Sequence, residues 1–144
     1  HNLANITNWL KFDCNWGNTL PNIFLNMTIE IITSNHSKIA KLNSDNFVIN
    51  EVQDALDLMA NCSYQGATGV IVDEKHLAPE FFDLKTQLAG EILQKFSNYN
   101  FKLAIVGNFS KFTSKSLHDF IFESNKHKRI NFVESENEAI AALA

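Results

Sequence analysis

The chain has 144 residues, a net charge of −4 and a pI near 5.7, which argues against nucleic acid as a main partner because phosphate binding needs a basic patch. It is 45% hydrophobic and 19% charged, enough apolar material for one packed domain, and it has no run of about 18 apolar residues of the kind that spans a membrane. The two cysteines, Cys14 and Cys62, are too few for a disulfide framework and point to a reducing, cytoplasmic setting.

Residues 1–26 differ in composition from the rest of the chain. They are rich in Asn, hold both tryptophans, Trp9 and Trp16, and carry only Lys11 and Asp13 as full charges. Leu3, Ile6, Trp9 and Leu10 have the spacing of a short amphipathic helix. The segment reads as an accessory extension, or one foreign to the domain, and the domain itself as residues 27–144, beginning at Met27.

Two strands open the domain. Thr28 to Thr33 and Lys38 to Leu42 flank the turn-forming Ser34-Asn35-His36-Ser37, the pattern of a β-hairpin. A helix comes next, with Val52, Ala55, Leu56 and Met59 on its apolar face and Asn50 and Gln53 spaced as a capping box. Gly69 to Asp73 is continuously apolar up to its last residue and reads as a buried strand. Pro79 to Asn98 reads as one long helix that organises the rest. Leu84, Leu88, Ile92 and Phe96 recur every four residues, Phe81, Ala89 and Leu93 fill the sides, and Pro79 suits the first helical position. Leu103 to Val106 is the next buried strand. Ser114 or Ser116 then caps a third helix whose buried face is Leu117, Phe120 and Ile121. Ile130 to Val133 is the last strand, and Ser135 with Glu138 opens a final helix through Ala139, Ile140 and Leu143. The order β-β-α-β-α-β-α-β-α predicts an α/β fold, a mostly parallel sheet with right-handed crossovers and helices packed on it.

That order is similar to the STAS domain, the fold of bacterial anti-sigma factor antagonists. The stretches DALDLMA, PEFFDLKTQLAGEILQKFSNY, LAIVGNFSKFTSKSL, DFIFESN and INFV, between Asp54 and Val133, resemble a bacterial family of small stand-alone domains of unknown function, over about residues 27–144. The resemblance to that family brings no established activity and implies a bacterial, soluble, single-domain protein; for a STAS-like domain a regulatory role through protein–protein contact is expected. In STAS antagonists a serine at the start of the helix after the third strand is phosphorylated. Here Leu77-Ala78-Pro79-Glu80 offers no hydroxyl, so no phosphoserine switch is expected there, and Glu80 supplies a fixed negative charge instead.

Ligands in parallel sheets bind outside the carboxyl ends of the strands. Asp73, Glu74, His76 and Glu80 are competent metal ligands in type. Their spacing matches no known site, so no metal is expected and they read as solvated loop charge. Asn108, Ser110, Lys111, Ser114, Lys115 and Ser116 precede a helix N-terminus, where an anion or nucleotide phosphate can sit. Neither a P-loop nor G-x-G-x-x-G accompanies them, and capping accounts for the serines as well. No acid–base pair or cofactor motif is visible, so an enzyme using the strand-end loops 73–79 and 107–116 is the lesser reading. The stronger one is contact with a protein partner or a second copy. Phe82 beside Glu80, Asp83, Gln87 and Glu91 forms an aromatic anchor with a charged rim, and Phe82, Thr86 and Gly90 form a stripe of their own on the long helix.

Overall fold

A computed structural model describes residues 28–144 as a five-stranded sheet in the order β1-β2-β3-β4-β5 with helices on both faces. The predicted helix within Leu3 to Leu10 lies outside the described residues. β1 (Thr28–Ser34) and β2 (Ser37–Asn43) pair antiparallel, with Ser34 opposite Ser37. Asn35 and His36 both adopt positive φ (51° and 66°), the twist that a two-residue hairpin requires. β3 (Gly69–Asp73), β4 (Lys102–Val106) and β5 (Ile130–Val133) then add in parallel.

Strands added in sequence order through right-handed crossovers place their crossover helices on one face. Those helices are α1 (Val52–Tyr64), α2 (Leu88–Asn98) and α3 (Lys115–His127). Val70, Val72, Leu103, Ile105, Ile130 and Phe132 point to this face and join Leu58, Ile92 and Phe96 in the main core. The alternate residues Ile39, Ile71 and Ala104 point the other way, onto Ala139 and Leu143 of α4 (Glu136–Leu143). Gly69 lets that helix come close, because a Cβ there would stand 3.2 Å from Leu143 Cδ1. Lys41 of β2 pairs with Glu136 at the first turn of α4, which raises the lysine pKa through that hydrogen bond.

The α/β class and the element order agree with the expectation, and two local readings are corrected. The first cap lies one residue later than predicted. Glu51 is the cap, and the Asp54 carboxylate accepts from the N–H groups of Asn50 (2.9 Å) and Glu51 (3.1 Å). Gln53 instead donates to Asp57 Oδ1 at 2.9 Å. A charged acceptor outcompetes a neutral amide for two backbone donors.

The second correction is larger. Pro79 to Asn98 is not one helix. Two 3-10 turns, Pro79–Phe82 and Leu84–Thr86, precede α2. Asp83 is extended, and Gln87 is left-handed with φ 66°. Local side-chain bonds favour the break. Asp83 Oδ1 accepts from Lys85 N–H (3.2 Å), and Thr86 Oγ1 lies 2.7 Å from the Glu80 carbonyl and 2.8 Å from that of Asp83. Packing favours it too. Phe81 is fully buried and Phe82 half-buried against the same core, where the broken segment brings Phe82 against Phe109 and Phe112.

Candidate functional site

The carboxyl ends of the parallel strands are closed by the chain itself. Glu74 follows β3; its carboxylate lies 2.6 Å from Lys111 Nζ and accepts from Asn108 N–H at 3.1 Å. Gly107 must be glycine for this contact, since a Cβ there would stand 2.8 Å from the Glu74 carboxyl group. His76 is 1% exposed. Its Nδ1 accepts from Asp73 N–H (3.0 Å), which leaves Nε2–H to donate to the Ser44 carbonyl (2.9 Å). Its own carbonyl accepts from Val48 and Ile49 N–H at 2.7 and 3.0 Å. Burial lowers the imidazole pKa, partly offset by the Ser44 bond. Both ring nitrogens are therefore engaged in holding the loop of residues 44–51 to the end of β3. Among the described residues no three His, Cys, Asp or Glu side chains converge to hold a metal.

An aromatic seam roofs the same strand ends. Phe82 stacks on Phe112 with centroids 4.8 Å apart and 17° between planes, meets Phe81 edge-on at 5.1 Å, and lies 6.3 Å from Phe109. Phe132 of β5 touches Phe81, Phe109 and Phe120 below. Phe82 thus ties the turn after β3 to the loop after β4. Glu80, Asp83, Gln87 and Glu91 remain exposed around it. The predicted stripe of Phe82, Thr86 and Gly90 does not form, because the chain turns at Gln87 and Thr86 is tied back to Glu80 and Asp83.

Most of the residues weighed for an anion have partners within the chain. Asn108 Oδ1 accepts from Ser110 N–H (3.1 Å) and lies 2.6 Å from Ser110 Oγ. Lys111 is on Glu74, and Ser114 Oγ caps α3 through Leu117 N–H at 3.1 Å. Lys115 pairs with Asp119 at 2.9 Å, and Ser116 is exposed on the first turn of α3.

The helical face carries what residue-by-residue reading missed. A groove of about 440 Å³ runs between α2 and α3, floored by Leu93, Phe120 and Ser124. A second, of about 410 Å³, lies between α1 and the end of α2, lined by Leu56, Met59, Tyr99 and Phe101. Tyr64, Tyr99 and Phe122 are large side chains left exposed on this layer. The signal for the first groove was present as helical spacing, Gly90, Leu93 and Ser97 on one helix and Phe120, Ser124 and His127 on the other. Only the three-dimensional pairing of the two stripes makes it a groove. Cys62 is the buried free cysteine of α1, and burial pushes its thiol up to about 12, the behaviour of a core residue and not of a nucleophile. No helix among the described residues is long and apolar enough to cross a membrane.

Neither the curated proteins nor the solved structures contain a match to the chain. The family described as domain of unknown function DUF4180 matches residues 34–143, from the end of β1 to the end of α4. The chain belongs to that family.

Proposed function

We propose that this is a STAS-like regulatory domain of the bacterial cytoplasm that acts by protein–protein contact, without a phosphoserine switch at the turn after β3. The observation that carries this reading is the presentation of Glu80, Asp83, Gln87 and Glu91. All four are exposed, Glu80, Asp83 and Gln87 on the broken segment whose own aromatics, Phe81 and Phe82, pack on the core, and Glu91 on the first turn of α2 that follows. Side chains on a segment anchored by its own buried aromatics lose less freedom on binding, and a charged rim orients a partner as it approaches. The order of strands and the crossover helices gathered on one face support the likeness to the STAS domain. The Leu77-Ala78-Pro79-Glu80 turn, with no hydroxyl, supports a constitutive charge in place of a switched one.

A photo-crosslinking residue at Gln87, introduced into the protein in its native cells, tests the reading. It is expected to trap a discrete protein adduct, while the same residue at Asn137 on α4 traps none. Adducts from Asn137 alone, or from neither site, would remove the support for this surface.

A further inference from the structure

The groove between α2 and α3 has three features that the fold itself does not require. Gly90 sits in the first turn of α2; its φ is not positive, and a Cβ there would meet nothing within 4 Å. The space above Gly90 is therefore open to the backbone of an incoming chain.

The second feature is shape. Gly90 to Ser97 spans two turns of α2, about 10 Å. It faces the stripe of Phe120, Ser124 and His127 on α3, which runs in the same direction because both helices connect parallel strands. The third feature is charge. Lys128 ends α3 in the left-handed conformation, and Arg129 reaches back so that its guanidinium donates to Asn100 Oδ1 at 2.9 Å. His127, Lys128 and Arg129 therefore gather at the carboxyl ends of both helices. Glu123, the one carboxylate in the lining, is paired with Lys126 at 3.7 Å.

We propose that this groove seats an amphipathic helix of a partner protein, lying antiparallel to α2 and α3 with acidic residues in its first turn against His127 and Arg129. The antiparallel direction sets the positive end of the incoming helix beside the negative ends of the other two. Acidic side chains in the first turn are favourable to that helix on its own and meet the basic corner here. Its apolar face packs on Leu93 and Phe120, with Gly90 as the point of closest backbone approach. This inference rests on the reading of the domain as a protein-binding module, but the residues that line the groove do not include Glu80, Asp83, Gln87 or Glu91.

The test is a phage-displayed library of helical peptides of roughly three turns, with the inward face and first turn randomised, selected on the folded domain. Enriched peptides are expected to carry Asp or Glu in the first turn and to lose at least about tenfold in affinity against Gly90→Trp. They are also expected to weaken against Arg129→Gln, and more so at low salt than at high salt. Gly90→Ala, which should raise the melting temperature, controls for folding. No enrichment overturns the groove proposal, as do binders indifferent to both Gly90→Trp and Arg129→Gln. Binders that instead map to Glu80, Asp83 and Glu91 overturn the groove while leaving the protein-binding reading intact.

Discussion

The Asn125 side chain on α3 bonds both backbone groups of Phe132 on β5. Its Oδ1 accepts from Phe132 N–H at 2.7 Å, and its Nδ2 donates to the Phe132 carbonyl at 3.3 Å. β5 is the last strand of the sheet, and an open edge invites pairing with another chain. One carboxamide thus stands in for a neighbouring strand. Asn125→Ala is expected to cost about 1–2 kcal/mol of stability by freeing these two groups. Sedimentation at increasing concentration should also show the variant associating where the parent chain does not.

Phe82 is held by stacking on Phe112 and by contact with Phe81 and Phe109. Phe82→Ala is expected to lower stability by about 2–4 kcal/mol in a denaturant titration. Phe112→Ala should lose less when made in the Phe82→Ala background than on its own, because the stacked pair is then already broken. Additive losses would mean that the stack contributes nothing.

His76 is neutral in the fold, since its Nδ1 accepts from Asp73 N–H and burial lowers its pKa. A base whose folded pKa lies below its unfolded value leaves the unfolded chain binding more protons between the two. Stability from this residue is therefore fully present above about pH 6.5 and declines as pH falls from there through the folded pKa. Denaturation curves at a series of pH values should show this slope in the parent chain. His76→Gln should lack it in that window and be less stable at neutral pH.

Gln65, at the end of α1, is 2% exposed, and neither its Oε1 nor its Nε2 has a hydrogen-bond partner among the described residues. A buried amide without partners carries its desolvation penalty uncompensated. Gln65→Met keeps the shape and removes the polar atoms. It is expected to raise stability by about 1 kcal/mol, read as an increase in melting temperature.

Much of the architecture was legible because periodicity carries it. The continuous apolar runs at Val70 to Val72 and Leu103 to Ile105 marked the buried strands, and Leu88, Ile92 and Phe96 marked α2. The break at Gln87 was not legible. Leu84 keeps helical spacing with Leu88, while the forces that end the helix are side-chain bonds from Asp83 and Thr86 and the shared burial of Phe81 and Phe82. The burial of Phe82 depends on where the loop of Phe109 and Phe112 arrives, which no local pattern encodes. Glu80, Asp83 and Glu91 stand out in the sequence as charge, and the structure leaves them exposed. The α2–α3 groove was not legible, because it exists only once two distant helices lie side by side. The reading of residues 1–26 as an accessory or foreign extension concerns a segment outside the described residues.

Recognition of a protein through the exposed ridge after β3 is open to direct titration. The quantity to measure is the affinity of the protein trapped at Gln87 for the parent chain and for Glu80→Lys/Asp83→Lys/Glu91→Lys, at low and high salt. All three side chains are exposed, so the triple variant should fold, with a small drop in melting temperature from loss of the Asp83 bond to Lys85 N–H and of the Glu91 charge at the start of α2. Binding is expected to be at least about tenfold weaker at low salt, a difference that narrows as salt screens the charges. Equal affinity of the folded triple variant and the parent chain at both salt concentrations would contradict recognition through this ridge.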